Sequence, residues 1–257
     1  MKFTIDTRIK FLATCLAWLR RWLKLGSMLR KYKKTPELVS REQRYKFILK
    51  IAKKLIKIYN IDLAIEGIEN IPNNGGIILT PNHKSYIDAL VLIAALEQTN
   101  QEFIDKPRVP TFIGKEGLKK SKTIYKSMQL LDSFFIDNKN IRDSLRTLDE
   151  FTDFVKNQKT FGIVFPEGTR IKEEKLGDFK SGIYKMANNT YMDVIPVAIS
   201  NTLDAFSLKR HGRIKVTVSF LTTLKAKTNI TKEPAIIATK AKDMIAAKLG
   251  YTDEIKK

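Results

Sequence analysis

Apolar positions along this chain change period near residue 60, and the change separates two kinds of sequence. Between residues 8 and 31, Phe11, Cys15, Trp18, Trp22, Leu25 and Leu29 recur at steps of three and four, with Leu12, Leu16, Leu19 and Leu23 beside them. That spacing predicts an amphipathic helix, with Arg20, Arg21 and Lys24 on another side. A polar break over 33–40 contains Pro36, and a second helix is predicted from Glu42 to Tyr59. Its basic stripe of Lys46, Lys50, Lys53, Lys54 and Lys57 lies opposite Phe47, Ile48, Ile51, Leu55 and Ile58. Two environments fit such a pair: the headgroup region of an anionic bilayer, or the surface of a globular core with the lysines in water.

From Asp62 short apolar runs alternate with helical periods. Strands are expected at Asp62–Glu66, Ile77–Thr80, Val109–Gly114, Ser133–Ile136, Gly162–Pro166, Val194–Ser200 and Arg213–Leu221. Helices are expected at Tyr86–Leu96, Lys122–Leu131, Ile141–Asn157, Ser181–Asn189 and Pro234–Leu249. The long helix at 141–157 should turn Leu145, Leu148, Phe151, Phe154 and Val155 inward. Such alternation implies one α/β domain, a central sheet covered by helices, over residues 61–257, preceded by the helix pair of residues 1–60.

Charge sharpens the division. The chain of 257 residues carries a formal net charge of +20. Residues 1–60 hold seventeen Lys and Arg against three Asp and Glu, so +14 of that total, leaving +6 for the other 197 residues. The surplus favours a polyanion, either nucleic acid or an acidic lipid surface. The stretch Phe11–Leu19 is far shorter than the ~20 apolar residues that span a bilayer. Asp6, Arg8 and Lys10 leave no apolar run for a signal peptide, and Arg20-Arg21 stands where cleavage would occur; the same shortage argues against a lipoprotein site at Cys15. The single cysteine excludes an internal disulfide, and no Cys/His cluster has metal-ligand spacing, so a reducing compartment is expected.

Candidate chemistry is sparse. Of two histidines, His211 falls in a Lys209-Arg210-His211-Gly212-Arg213 turn, whereas His83 follows the apolar run Gly76–Thr80 and opens a helix in Pro81-Asn82-His83-Lys84-Ser85-Tyr86-Ile87-Asp88. Reactive groups of α/β proteins stand at such strand ends, although a cap or a surface histidine also fits there. Five residues on a helix turn a side chain about 140° away, so His83 and Asp88 meet only if the histidine sits on the turn before the helix, with Asn82 or Ser85 as cap. A carboxylate on one ring nitrogen would leave the other to take a proton from a hydroxyl. The second site is Phe165-Pro166-Glu167-Gly168-Thr169-Arg170, again after an apolar run. Gly168 permits close backbone approach, Arg170 offers a planar fork for phosphate oxygens, and Glu167 can orient Arg170 or accept a hydroxyl; alone, the segment is compatible with an ordinary turn.

Together these segments resemble the glycerophospholipid acyltransferases. The first family block, Asn-His-x4-Asp, is Asn82–Asp88; the second appears as Gly114-Lys115-Glu116-Gly117-Leu118 and Phe135-Ile136-Asp137-Asn138. The third is Phe165–Arg170, trailed by Phe179-Lys180-Ser181-Gly182, and the fourth is Val194-Ile195-Pro196-Val197-Ala198. Asn138 stands where the family usually has arginine, with Lys139 or Arg142 as nearby substitutes. The wording is that of members that acylate lysophosphatidate. The resemblance implies transfer of a fatty acyl group from acyl-ACP or acyl-CoA to the sn-2 hydroxyl of lysophosphatidic acid, giving phosphatidic acid, with no covalent intermediate and no metal or cofactor. Glycerol-3-phosphate or another lysophospholipid is the alternative acceptor.

It further implies His83 as general base and Asp88 as its orienting partner. Lys115, Glu167, Gly168, Thr169 and Arg170 would form the site for the substrate phosphate. Backbone N–H groups near His83 are the expected oxyanion donors. With lipid substrates, the helix pair becomes a membrane-binding element at the cytoplasmic face. Trp18, Trp22, Arg20, Arg21, Lys24, Lys50, Lys53, Lys54 and Lys57 would contact an anionic phospholipid membrane. Nucleic acid explains the charge but neither motif, and is set aside as a partner.

Overall fold

The computed structural model describes residues 6–97, 107–137, 140–208, 210 and 212–251. The first predicted helix is two: α1 (Thr7–Ala13) and α2 (Cys15–Lys34). The break is at Thr14, whose hydroxyl donates to the Lys10 carbonyl at 2.6 Å and whose backbone leaves the helical region. Such a local bond competes with the helical ladder, which periodicity alone does not reveal. After a short 3-10 turn, α3 (Arg41–Ile58) starts at Ser40, whose Oγ accepts from the Gln43 N–H at 3.2 Å.

The body follows as β1 (Ile61–Glu66), β2 (Ile77–Pro81), α4 (Ile87–Ala95), β3 (Pro110–Lys115), α5 (Lys122–Leu130), β4 (Phe134–Ile136), α6 (Ile141–Gln158), β5 (Phe161–Ile163), α7 (Gly182–Asn189), β6 (Val194–Ile199), β7 (Ile214–Phe220), the single turn α8 (Ala226–Asn229) and α9 (Pro234–Leu249). The seven strands form one sheet in the order β1-β7-β6-β2-β5-β3-β4. The five from β6 to β4 are mutually parallel; β7 pairs antiparallel with β6 and parallel with β1. The expected α/β architecture is therefore present, with strand and helix positions displaced by a residue or two at most, except that β5 ends at Ile163, short of Pro166.

Helices cover both faces. Alternation along β2 sends Ile77 and Leu79 into a core shared with α2 to α5, and Ile78 into a second core with α6, α7 and α9. Leu148, Phe151 and Val155 of α6 are buried in the latter, with Leu145 half-buried against it. One alternative for the N-terminal helices is corrected here. The apolar face of α3 is not available to a bilayer: Tyr45, Ile48, Leu49, Ala52 and Ile56 are buried in the same core as the sheet. Its lysines 50, 53, 54 and 57 stay exposed.

An ionic clamp ties the helix pair to the body. Asp132 accepts from Arg44 at 2.7 and 3.0 Å, from Arg41 at 3.0 Å and from the Tyr32 hydroxyl at 2.7 Å, while buried Arg44 also reaches the Leu130 carbonyl. Burial pushes the Asp132 carboxyl upward, but the bonds from Arg44 and Tyr32 and the charge of Arg44 outweigh it and hold it below its ordinary value. Among the described residues no helix is long and apolar enough to cross a membrane.

Candidate active site

Strand register brings the two motif turns together. Leu79 of β2 pairs with Ile163 of β5, so the turns four residues beyond each leave the carboxyl edge of the sheet side by side. The His83 N–H accordingly donates to Glu167 Oε1 at 2.9 Å, and the Ile171 N–H to the His83 carbonyl at 2.9 Å.

His83 lies on the turn before α4, with its Nδ1 2.8 Å from Asp88 Oδ2. The same oxygen accepts the N–H groups of Lys84 at 2.6 Å and Ser85 at 2.9 Å. Asp88 is fully buried and reaches back to the turn before its own helix, so its acceptor role is set by three converging donors. Nδ1 is thereby the donor nitrogen of the imidazole, and Nε2 is left with a lone pair. The ring stacks on Phe165 with centroids 4.0 Å apart, so its plane is fixed from the face as well as from the edge.

Asn82 is not the cap. Its amide is buried in a two-way bridge to Ile199 at the end of β6, donating at 3.0 Å and accepting at 2.7 Å. Ser85 Oγ accepts the Ile87 N–H at 3.0 Å. Of the main-chain donors beside His83, the N–H groups of His83, Lys84, Ser85 and Ile87 all point at protein acceptors.

Glu167 is buried and spans two segments, its Oε2 accepting the Gly177 N–H at 3.0 Å. Burial raises its carboxyl above the ordinary value, opposed by the two N–H donors and the nearby charges of Lys84 and His83. Gly168 adopts φ 64°, and the Lys180 stem would lie 3.2 Å from a Cβ there, so a side chain would be strained in both backbone and space. Arg170 projects its guanidinium over the Tyr86 ring at 4.0 Å. Thr169 is exposed. Lys115 ends β3 on the same edge of the sheet, two strands from β2, and is exposed.

The sequence reading did not single out Lys84, Tyr86 or Phe165. Buried Lys84 donates to the Glu173 carbonyl at 2.6 Å and to that of Lys175, pinning the segment that follows Arg170. Each lies inside a motif already quoted, and only the fold shows what it touches. Asn138, Lys139 and His211 lie outside the described residues. Arg142 is exposed in the first turn of α6.

On the N-terminal helices, exposure selects one row. Ile9, Leu12, Leu16, Leu19 and Leu23 face solvent, with Leu12 at 76% and Leu16 at 74%, and Trp22 is exposed beside them. Trp18 is turned partly inward towards Phe11, with Arg21 over its ring. Arg20 and Lys24 are exposed.

Comparison with known proteins follows the same geography. The model of the Acyltransferase family matches residues 62–200, which contain both turns. A probable 1-acyl-sn-glycerol-3-phosphate acyltransferase of Mycoplasma pneumoniae is 32% identical over 183 residues, 70% of this chain and 65% of that protein. Its namesake in Mycoplasma genitalium is 36% identical over 170 residues, 62% of this chain and 61% of that one. The chain thus spans less than two thirds of the length of these two relatives. The crystal structure of the 1-acyl-sn-glycerophosphate (LPA) acyltransferase PlsC from Thermotoga maritima superposes with a TM-score of 0.72 at 25% identity, covering 96% of this chain and 98% of that one.

Proposed function

This chain belongs to the Acyltransferase family, and from that premise we propose that it transfers a fatty acyl group from a thioester to the sn-2 hydroxyl of lysophosphatidic acid. The observation that carries the reading is the 2.8 Å contact between His83 Nδ1 and Asp88 beside the turn that bears Arg170. Nε2 of His83 accepts the hydroxyl proton as the substrate oxygen attacks the acyl carbonyl. The C–S bond then breaks, and the imidazolium, steadied by Asp88, returns its proton to the departing thiolate. Arg170 and Lys115 hold the phosphate at the carboxyl edge of the sheet, Arg170 by its planar fork. Glu167 acts from behind, fixing the His83 turn against the Gly177 segment. Support for lysophosphatidate as acceptor comes from the names of the similar proteins and from the wording of the motifs. Acyl-ACP and acyl-CoA both satisfy this chemistry.

The substrates' home is a bilayer, and α1 with α2 is the element that meets it. The exposed leucine row enters the headgroup region of an anionic membrane, and Arg20, Arg21 and Lys24 meet its phosphates. The exposed lysines of α3 add to the attraction without inserting its apolar face. The protein is thus a peripheral membrane enzyme.

Acyl transfer from a labelled thioester to lysophosphatidate in mixed micelles tests the reaction, with glycerol-3-phosphate as parallel acceptor. Labelled phosphatidate is expected from the wild type, and His83→Ala should lower the rate at least about a hundredfold. Transfer to glycerol-3-phosphate alone, or an unimpaired mutant, would overturn the acceptor or the base respectively.

A further inference from the structure

The turn that carries His83 also carries a buried cation that the acyl transfer itself does not use. Lys84 is only 6% exposed, and a lysine sits so deep only where its ammonium is compensated. Its Nζ donates to the Glu173 carbonyl at 2.6 Å and to that of Lys175, and stands 5.7 Å from the centre of the Tyr251 ring. The charge is thus spent on the main chain of one segment, the loop that begins where Arg170 ends.

Residues 171–180 have no helix or strand of their own, and Lys172, Glu173, Glu174 and Lys175 are exposed. Such a segment keeps one course where its main chain is bonded to its neighbours. The two motif turns supply those bonds. The Ile171 N–H donates to the His83 carbonyl at 2.9 Å, the Gly177 N–H to Glu167 Oε2 at 3.0 Å and the Lys180 N–H to the Pro166 carbonyl at 2.9 Å. The exposed middle, 172–175, is anchored by Lys84 and by the Tyr251 hydroxyl, which donates to Glu174 Oε2 at 2.6 Å. Lys84 and Glu167 are complementary anchors, a cation for carbonyls and a carboxylate for an N–H. The Lys84 charge is also one of the influences that draw the buried Glu167 carboxyl downward, which keeps it the acceptor that Gly177 and His83 need.

We propose that Lys84 is a positioning residue of the acyl transfer: its ammonium staples the 171–177 loop to the His83 turn and so holds Arg170, at the start of that loop, at a fixed reach from the base. The inference rests on the reading that the acceptor is a lysophosphatidate whose phosphate Arg170 holds. A phosphate seated on Arg170 sets where the acceptor hydroxyl meets Nε2 of His83, so slack in the loop becomes slack in that reach. Glu173 and Lys175 are exposed, so water can take over their carbonyls when the ammonium is removed. The loop then loosens while the fold stands.

The test uses the full chain in mixed micelles. Lys84→Met is expected to raise the KM for lysophosphatidate about tenfold, with the KM for the acyl thioester changed by less than about twofold and kcat by less than about threefold. Lys84→Arg, which keeps the charge and its donors, should recover most of the loss. A role in stability alone would lower kcat through the folded fraction and leave both KM values where they were. Trypsin gives a reading that does not depend on the acceptor, because Lys172 and Lys175 are exposed in the loop. Cleavage after these two residues, mapped by mass spectrometry, should be about tenfold faster in Lys84→Met than in the wild type. An unchanged KM for lysophosphatidate in Lys84→Met overturns the positioning role, and an unchanged rate of loop cleavage overturns the staple. A wild type that does not acylate lysophosphatidate overturns the acceptor instead, and the trypsin comparison then decides the staple alone.

Discussion

Helices α2 and α3 carry nearly the same signature, a basic stripe opposite aliphatic and aromatic side chains, and they meet opposite fates. Along α3 the apolar face is closed: Tyr45 and Ala52 are buried against α4, α5 and β1. Along α2 only Leu25 and Leu29 are buried, while Leu16, Leu19 and Leu23 stand in solvent. The difference lies in how much of each face the body covers. The apolar face of α3, which leads directly into β1, is covered across its width, with Phe47 and Leu55 half-buried at its margin. The apolar surface of α1 and α2 has two rows, and the body covers only the inner one. Amphipathicity therefore establishes that a face will be covered, and the neighbours decide by what.

The largest effect that would break this contrast is at the clamp. Asp132→Ala leaves Arg44 buried without its carboxylate, and unfolding free energy should fall by about 3–5 kcal/mol, read from chemical denaturation. Acid gives the milder version of the same experiment. The Asp132 carboxyl is lowered in the folded state, so its contribution is fully present above the ordinary value of 3.8 and is lost as pH falls through the lower folded one. Asp132→Asn should flatten that acid limb; an unchanged limb would show that the clamp contributes nothing.

Next in size is the outer row. Leu16→Ser with Leu23→Ser removes apolar area that the body never covers, so stability should stay within about 0.5 kcal/mol. Sedimentation with anionic vesicles should nevertheless weaken about a hundredfold, each leucine contributing roughly 1.5 kcal/mol of insertion. A matching loss of stability would mean that the row packs on protein after all. The smallest effect sharpens the roles of the stripes. Replacing Arg20, Arg21 or Lys24 by Gln should cost vesicle binding up to about 1 kcal/mol per charge, with the loss vanishing at high salt. The lysines of α3 should cost less per charge if its face is turned from the membrane, and equally if both stripes lie on it.

The candidate site was legible where partners are near in sequence. The five-residue step from His83 to Asp88 already required a turn before the helix, and the structure has it. What was not legible crosses between segments. Glu167 lies 84 residues from the His83 N–H that it accepts, and Lys84 meets a main-chain segment about as far away. Asn82 read as a cap from its neighbours, yet it ties β2 to β6 across 117 residues. The engagement of the His83 N–H was hidden for the same reason: its acceptor, Glu167, arrives from elsewhere in the chain.

By itself, the sequence determined the elements, the α/β alternation, the excess of positive charge in the first sixty residues and the two motif turns. These follow from periodicity, composition and local steric rules, which act over a few residues. Only the tertiary structure decided that the two turns lie side by side and that α3 is covered by protein while one row of α2 is not. Those outcomes depend on strand register and on which apolar surfaces reach each other first, and both are properties of contacts between residues far apart in the chain.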